Sequence, residues 1–258
     1  MIGIFGGSGF YELLADARPV ETTTPYGSPA APPMVGSVSG VEVVFIPRHG
    51  IHHEYPPHQI PYRANIWAMR ELGVERIIAP TAVGSILPEY APGQFVIPDQ
   101  LVDRTWGRAN TFFDGPETRH IAFADPYCPE LRARAADAIR NLTGSVHEGG
   151  TTVVVQGPRF STRAESASFA AAGWHLVNMT QLPEAALARE LGLCYVNIAV
   201  VTDYDVGVPG KITPVTHEDV LLRFGEALET LRGILAAMIP TAADSRITEC
   251  ECATGPPT

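Results

Sequence analysis

Short apolar runs of strand length alternate along the chain with segments in which apolar residues recur every three to four positions. We therefore predict strands at residues 2–5, 41–46, 76–80, 95–98, 151–156, 174–177 and 195–201. We predict helices at residues 62–72, 129–142, 162–172, 183–193 and 216–238, and a loop with short strands at 18–39. This alternation is typical of an α/β protein.

The pattern is most informative between residues 174 and 205. A predicted helix separates two apolar strands here, which favours a β-α-β unit with parallel strands and a ligand at their carboxyl ends. Asn178-Met179-Thr180 follows the first strand, and Asp203 and Asp205 follow the second, so we expect one pocket. Two carboxylates in such a position are costly to bury without a partner, which favours a functional site. The alternative interpretation is that they lie in a solvated turn.

A second candidate site combines a glycine turn with an arginine. Gly6-Gly7-Ser8-Gly9 follows the first strand, and successive N–H groups in such turns can hold an anion. The pattern is neither a Walker loop nor a Rossmann fingerprint. A tight turn that binds no anion is therefore the alternative interpretation. Arg48-His49-Gly50 ends the strand at 41–46, where an arginine can bind an oxyanion through two hydrogen bonds. Its alternative role is a surface salt bridge.

Composition and charge indicate one large domain. The chain has 258 residues, 45% of them hydrophobic and 18% charged, which is enough for a full core. We find no repeat or linker and predict a domain at 1–240 and a polar tail at 241–258. The net charge of −10 argues against nucleic acid, and no apolar run is long enough for a membrane span. The absence of a signal-peptide pattern favours the cytoplasm.

Histidines and cysteines do not lead to a metal prediction. The histidines of residues 49–58 lie among prolines, without the spacing of a metal site on a helix. Cys128 and Cys194 are interpreted as buried thiols in a reducing compartment. Cys250 and Cys252 are either a metal or redox pair or part of a frayed terminus. We expect the frayed terminus, because two thiols without a further ligand make a weak site.

Several short motifs, taken in their order along the chain, identify a family. They are Gly6-Gly7-Ser8-Gly9, Arg48-His49-Gly50, Thr81-Ala82-Val83-Gly84-Ser85, Gly157-Pro158-Arg159-Phe160-Ser161, Asn178-Met179-Thr180 and Thr202-Asp203-Tyr204-Asp205. Over residues 3–238 the chain resembles the methylthioadenosine phosphorylase branch of the trimeric purine nucleoside phosphorylase family.

The resemblance implies a single α/β domain in a homotrimer, with a mixed central sheet that is partly closed as a barrel and flanked by helices. It implies a pentosyltransferase of purine and methionine salvage. Such an enzyme converts 5′-methylthioadenosine and inorganic phosphate into adenine and 5-methylthioribose 1-phosphate. Inorganic phosphate is then a co-substrate, and neither a cofactor nor a metal is expected.

The resemblance also implies a role for individual residues. Phosphate would be held by Ser8, Arg48, His49, Thr81, Ala82 and Thr180. The nucleoside would contact Phe160, Asn178, Met179, Asp203, Asp205, Val215, His217 and Leu221, together with His120 from the neighbouring subunit. Asp203 and Asp205 would be catalytic. The family usually has Thr in place of Ser8, and the exchange keeps the hydroxyl.

The chemistry of glycosidic cleavage supports these roles independently. The reaction builds positive charge on the sugar and negative charge on the departing purine. A phosphate fixed by the glycine turn and Arg48 would attack the sugar and stabilise its charge. The purine needs a hydrogen-bond donor at N7, which a carboxylic acid provides if burial and a neighbouring carboxylate raise its pKa.

Three further functions stay open at this point. A broader purine nucleoside phosphorylase would act on adenosine or 6-oxopurine nucleosides. A nucleosidase would use water, but Arg48 beside the glycine turn favours phosphate. A non-catalytic nucleoside-binding protein is the third, and the presence of both Asp203 and Asp205 argues against it.

Two positions bear on substrate choice. An ionised Asp203 accepts a hydrogen bond from the exocyclic amine of adenine and repels a 6-keto oxygen, which favours adenine. His217 stands where the methylthioadenosine enzymes usually have Val and where enzymes for an ordinary 5′-hydroxyl have His. We therefore expect a broadened 5′ specificity, and a histidine that points to solvent is the alternative interpretation. Gln181-Leu182 departs from the family pattern and leaves the base pocket less defined.

Overall fold

The computed structural model describes residues 1–208, 210, 214–244 and 250–253. One mixed sheet contains the strands β1 (Ile2–Gly6), β2 (Ala15–Pro19), β3 (Met34–Val38), β4 (Val41–Pro47), β5 (Arg76–Ser85), β6 (Phe95–Ile97), β7 (Gln100–Arg104), β8 (His147–Glu148), β9 (Thr151–Val155), β10 (Leu176–Asn178) and β11 (Cys194–Tyr204). The helices are α1 (Tyr62–Glu71), α2 (Pro129–Thr143), α3 (Arg163–Ala171), α4 (Gln181–Glu190) and α5 (His217–Ala243). Short 3₁₀ helices cover Ser8–Leu13 and Glu251–Ala253.

The strand order confirms the predicted mixed sheet flanked by helices. It runs β2-β3-β4-β1-β5-β10-β9-β7. In addition, β11 pairs with the other edge of β5, and β6 pairs with the far edge of β11. The two end strands of this order, β2 and β7, do not pair with each other in the described part of the chain, so the sheet is not closed into a barrel.

The predicted β-α-β unit with parallel strands is wrong. β11 runs parallel to β5 along its whole length, but β10 pairs with β5 in the antiparallel direction. The apolar run before Asn178 predicts a strand and contains no information on its direction, because antiparallel strands can be buried on both faces as well. The helix α4 joins two strands that lie on opposite edges of β5.

Local sequence signals explain how the helices begin and end. A capping box begins α3: the Thr162 side chain accepts from the Glu165 backbone N–H, and the Glu165 side chain accepts from the Thr162 backbone N–H. Pro129 starts α2, and Gly144 ends it in a left-handed conformation (φ 82°). Thr216 caps α5 by accepting from the backbone N–H of Asp219 (3.1 Å).

Helices cover both faces of the sheet. On one face α2 and α5 pack on β11 and β1, with a core that includes Leu131, Ile139 and Leu235. One face of α2 is therefore buried in the core. On the other face α1 and α4 pack on each other, with a core that includes Ile66 and Leu187.

The end of the chain differs from the frayed terminus that its polar sequence predicts. Cys252 is 2% exposed, and the sulfur of Cys250 lies 3.4 Å from that of Cys128 and 3.6 Å from that of Cys194. That prediction is therefore wrong for residues 250–252. The sequence does not reveal that this segment packs against the buried thiols of Cys128 and Cys194, which are distant along the chain. Among the described helices, none combines the length and the apolar character needed to cross a bilayer.

Candidate active site

The candidate active site lies where β10 and β11 meet opposite edges of β5. Val177 of β10 pairs with Gly84, and Asp203 of β11 lies opposite the same glycine. A Cβ atom at Gly84 would lie 2.8 Å from the Val177 side chain and 2.9 Å from Oδ2 of Asp203. Glycine is therefore needed at this position, because any side chain would displace the carboxylate. The two predicted strand ends come together although their strands run in opposite directions.

Asn178 organises the turn between β10 and α4. Its side-chain N–H donates to the carbonyl of Ala82 (3.1 Å). Its side-chain oxygen accepts from the backbone N–H groups of Thr180 (2.8 Å) and Gln181 (2.9 Å). Asn178 thus holds Thr180, a predicted phosphate ligand, beside the second half of β5.

Arg48 forms a buried ion pair with Glu184 of α4. Nε donates to Oε2 (2.6 Å) and Nη2 to Oε1 (2.9 Å), while Nη1 reaches the carbonyl of Pro80 (3.3 Å). Arg48 is 3% exposed and Glu184 1%, so the surface salt bridge considered as an alternative is wrong. Burial disfavours the charge of Arg48, but Glu184 outweighs it and raises the pKa of the guanidinium. Of the five N–H groups of arginine, two have no partner within the described chain and are available to an oxyanion.

The same arginine places the glycine turn next to the site. Its backbone N–H donates to the carbonyl of Gly6 (3.0 Å), and β1 and β4 are parallel neighbours. The glycine turn, Arg48 and Pro80 therefore lie close together, where β1 and β4 end beside β5. The side chain of Ser8, a predicted phosphate ligand, lies outside the described part of the chain.

His49 is neutral and oriented by a backbone group. Burial lowers the pKa of His49 to about 4, and its Nδ1 lies 2.9 Å from the carbonyl of Tyr55. A neutral imidazole beside a carbonyl oxygen must carry its proton on Nδ1, which leaves Nε2 as an acceptor. In the ligand-free protein the ring can therefore accept a hydrogen bond from a hydroxyl through Nε2. The phosphate role of His49 stays a prediction.

Three histidine rings form a row that ends at α5. His53 stacks on His49 with a centroid distance of 4.4 Å, and His217 lies 5.5 Å from His53. Burial and the nearby His217 lower the pKa of His53. His217 is the first residue of α5 and is exposed in the single chain, but its ring is directed to the row. It therefore lies at the border between the site and solvent.

Asp203 is held with a raised pKa. A β-bulge between Val201 and Asp203 interrupts the pairing with β5, and such bulges redirect side chains. Burial raises the pKa of Asp203 to about 6, and the charges of Asp205 and Asp219 act in the same direction. The hydroxyl of Thr202 donates to Oδ1 (2.7 Å) and opposes the shift.

Asp205 is more deeply buried than Asp203, with 2% exposure. Its backbone N–H donates to the carbonyl of Ser85 (2.8 Å), so the main chain fixes its position. Burial raises the pKa of Asp205, and hydrogen bonds from Ser166, Val206 and Ser161 oppose that shift. Its Oδ2 atom is buried and has no hydrogen-bond partner within the described chain. A buried oxygen in this state is a position at which a ligand donor would be bound.

A buried polar network supports the floor of the site. Gln181 is fully buried, and its side-chain N–H donates to Asn197 (3.0 Å), which donates to the hydroxyl of Thr81 (3.0 Å). The hydroxyl of Tyr127 donates to the side-chain oxygen of Gln181. Because the hydroxyl oxygen of Thr81 accepts a hydrogen bond from Asn197, its hydroxyl hydrogen is available to donate to an anion. Gln181 thus belongs to this scaffold and not to the base pocket.

Arg108 has a positioning role that the sequence analysis missed. It lies in the loop between β7 and α2, and its Nη1 donates to the carbonyls of Met179 (2.9 Å) and Leu182 (2.5 Å). Its Nη2 donates to the carbonyl of Gln156 (2.8 Å). One guanidinium therefore ties the end of β9 to the turn that carries Met179. An arginine in an irregular loop has no periodic signal by which the sequence could reveal this contact.

The remaining predicted residues are more scattered. Met179 covers Gly157, where a Cβ atom would lie 2.6 Å from its sulfur. Phe160 and Val215 are partly buried, whereas His120 and Leu221 are exposed in the single chain. Within the described residues, no hydrogen bond or ring contact joins these last four side chains to the carboxylates. Arg48, Thr81, Ala82, Asn178, Thr180, Asp203 and Asp205 are the predicted residues that the fold brings together.

Comparisons with known proteins show similarity along the whole chain. A family model described as "Phosphorylase superfamily" matches residues 1–240. An S-methyl-5′-thioadenosine phosphorylase of Mycobacterium tuberculosis is 55% identical over 259 aligned positions, which cover all of this chain and 96% of that protein.

Solved structures are also similar. A methylthioadenosine phosphorylase from an antarctic soil metagenomic library superposes with a TM-score of 0.92 at 36% identity, covering 98% of this chain and 90% of the other. The methylthioadenosine phosphorylase of Schistosoma mansoni in complex with adenine superposes with a TM-score of 0.87 at 37% identity, covering 95% and 92%. The likeness therefore extends over nearly the whole of each protein.

Proposed function

The chain belongs to the phosphorylase superfamily, and from this premise we propose that it catalyses the phosphorolysis of 5′-methylthioadenosine to adenine and 5-methylthioribose 1-phosphate. One observation carries the proposal beyond family membership. Asp203 is held against Gly84 with its pKa raised to about 6, beside the buried and incompletely bonded Asp205. A pair of carboxyl groups in this state suits a leaving group that must accept a proton.

The purine edge explains why a carboxylic acid is suitable. Adenine presents an acceptor at N7 and a donor at its exocyclic amine. A protonated carboxyl group presents one donor and one acceptor, so protonated Asp203 can bind both groups at once. As the bond between C1′ and N9 breaks, its electron pair moves into the purine, and the proton of Asp203 moves to N7.

The phosphate contributes the nucleophile. The two available N–H groups of Arg48, the hydroxyls of Thr81 and Thr180, and the backbone of residues 6–9 would bind its oxygens. Such binding places one phosphate oxygen to form the new bond to C1′, and its negative charge stabilises the developing positive charge of the sugar. Glu184 acts indirectly, because it orients Arg48 by its two hydrogen bonds.

The test measures adenine release from 5′-methylthioadenosine with and without inorganic phosphate. We expect release to depend on phosphate and the sugar product to be the 1-phosphate. Equal release in phosphate-free buffer would identify a nucleosidase instead. Tight binding of the nucleoside without any turnover would identify a binding protein.

The homotrimer and the role of His120 are part of the same proposal. His120 is exposed in the single chain, so its side chain is accessible to a neighbouring subunit. We expect light scattering to give three times the 27.7 kDa mass of one chain. Inactive His120→Ala and Asp203→Ala proteins should regain activity when their subunits are exchanged, because some sites then receive both intact residues. A failure of exchanged subunits to regain activity would exclude a shared site.

The proposed reaction uses inorganic phosphate as co-substrate and has no step that requires a cofactor. The cytoplasmic location and the place in purine and methionine salvage stay predictions from the sequence. The preference for adenine and for the methylthio group rests on Asp203 and on the surroundings of His217.

A further inference from the structure

All four cysteines of the chain come together at one point of the fold. Cys128 lies just before α2, Cys194 is the first residue of β11, and Cys250 and Cys252 come from the end of the chain. Their four sulfur atoms lie within 4.8 Å of one another. Three of these residues are buried, and Cys250 is partly buried. The argument that Cys250 and Cys252 lack further ligands is therefore wrong, since Cys128 and Cys194 provide two.

The distances between the sulfurs fit a single metal ion. The sulfur of Cys250 lies 3.4 Å from that of Cys128 and 3.6 Å from that of Cys194. A tetrahedral Zn²⁺ with four bonds of about 2.3 Å to sulfur has sulfurs about 3.8 Å apart. A disulfide would require about 2.05 Å. An iron–sulfur cluster would hold its cysteines further apart, because the cluster itself occupies the centre.

We propose that Cys128, Cys194, Cys250 and Cys252 form a structural site for one Zn²⁺ ion. Four cysteine ligands in a closed tetrahedral arrangement are typical of structural zinc sites, which leave no position for substrate. Soft thiolate ligands and the tetrahedral geometry select this ion over Mg²⁺ or Ca²⁺, which prefer oxygen.

Two groups close to the sulfurs are suited to a negatively charged metal site. Cys128 occupies the N-cap position of α2, where the helix dipole and free N–H groups stabilise a negative sulfur. Nη2 of Arg189 lies 3.5 Å from the sulfur of Cys252 and also donates to the carbonyl of Asp125 (2.7 Å). A cation fixed in this way compensates part of the net charge of −2 that four thiolates and one Zn²⁺ would have.

The site lies at the opposite end of β11 from the catalytic carboxylates. Nine residues separate Cys194 from Asp203 along the strand, which corresponds to about 30 Å at about 3.3 Å per residue. A metal there cannot touch the substrate. It would join the start of α2, the start of β11 and the end of the chain, and so fix residues 250–252 to the core.

Metal analysis of the whole protein tests the proposal. The chain is purified under reducing conditions and without an affinity tag that binds metal, and its zinc content is measured by plasma mass spectrometry and native mass spectrometry. We expect one Zn²⁺ per chain and four thiols that become reactive only after the metal is released. Replacement by Co²⁺ should give the visible spectrum of a tetrahedral site with four sulfur ligands.

Tail variants provide the matched comparison, because they leave the core cysteines in place. Cys250→Ser and Cys252→Ser should each lower zinc occupancy by at least tenfold and lower the Tm. Glu251→Gln, which lies between the two ligands, should keep one Zn²⁺ per chain. The kcat/KM for phosphorolysis should change less than twofold in all three variants when it is measured well below their Tm.

Two results would overturn the proposal. A protein four mass units lighter than its reduced form, with no metal, would contain two disulfides in place of the zinc site. A protein with four free thiols that does not take up Zn²⁺ or Co²⁺ under reducing conditions would contain only packed thiols. Neither result would affect the proposed phosphorolysis, whose test is independent of the cysteines.

Discussion

Glu184 and Asp205 are both buried carboxylates, and the difference between them lies in how their oxygens are bonded. Both oxygens of Glu184 accept hydrogen bonds, one from Nε of Arg48 and the other from Nη2 of Arg48 and the hydroxyl of Tyr195. Asp205 is equally inaccessible, but one of its oxygens has no partner within the described chain. Asp203, two positions earlier in the chain, accepts a hydrogen bond from the hydroxyl of Thr202 (2.7 Å) and has a pKa raised to about 6.

We interpret this difference as one between a structural carboxylate and a carboxylate that serves the proposed catalysis. A carboxylate whose two oxygens are both bonded by its own chain orients its partner, as Glu184 orients Arg48. A carboxylate that is buried without full bonding destabilises the empty protein and is stabilised when a substrate supplies the missing donor. Stability and activity should therefore respond in opposite ways to changes at the two positions.

The largest effect is expected for Asp203→Ala. The kcat/KM for 5′-methylthioadenosine should fall by about 10²–10⁴, the usual contribution of a general acid. Adenine release at saturating phosphate measures it. Asp137→Asn, which changes an exposed aspartate of α2, is the control and should keep the activity of the unmodified protein. Full activity of Asp203→Ala would remove Asp203 from the mechanism.

The main effect of Glu184→Gln should be a loss of stability. The change leaves the buried charge of Arg48 without its counter-charge, which typically costs about 3–5 kcal/mol in the free energy of unfolding. Urea unfolding measures the loss. Glu117→Gln breaks the exposed pair with Arg119, and it should change stability by less than about 1 kcal/mol. Equal effects of the two variants would contradict the structural role of Glu184.

The pH dependence of kcat/KM should report the raised pKa of Asp203. Since the protonated acid is the active form, kcat/KM should fall as pH rises through about 6, and Asp203→Asn should lack this decline. The folded state binds this proton more tightly than the unfolded chain. The free energy of unfolding should therefore decrease as pH rises from 3.8 to about 6. An unchanged pH profile in Asp203→Asn would assign the decline to another group.

Asp203→Asn also tests the choice of base. Asparagine can donate to both acceptors of a 6-oxopurine, whereas protonated Asp203 directs one lone pair at the keto oxygen. The ratio of kcat/KM for inosine to that for adenosine should rise about tenfold, which corresponds to about 1.4 kcal/mol. The two nucleosides share one sugar, so the 5′ end cancels from the ratio. A ratio that stays constant would place Asp203 away from position 6 of the base.

The smallest effect is expected at the 5′ end. A hydrogen bond from His217 to a 5′-hydroxyl is worth about 0.5–1.5 kcal/mol, so His217→Val should lower the ratio of kcat/KM for adenosine to methylthioadenosine by tenfold at most. Glu218→Gln, the exposed neighbour, is the control for a change of charge at the start of α5. If only the control changes the ratio, His217 does not contact the 5′ substituent.

Much of the fold and the identity of the reactive groups were determined by local sequence. The apolar runs predict most of the strands, and the capping signals at Thr162 and Thr216 predict where α3 and α5 begin. Asp203 and Asp205 follow the longest of the predicted strands, which places them at its carboxyl end. These properties depend on a few neighbouring residues, which is why the sequence reveals them.

Only the tertiary structure decided which distant groups meet. The direction of β10, the partners of Arg48 and Arg108, the neutral state of His49 and the convergence of four cysteines all depend on residues tens to more than a hundred positions apart. A side chain's hydrogen bonds and pKa follow from what surrounds it in space, and sequence spacing does not encode these surroundings. Arg48 therefore has the same local signal whether it forms a surface salt bridge or a buried pair with Glu184, and only the packing of α4 against α1 and β11, which buries Glu184 beside Arg48, distinguishes the two.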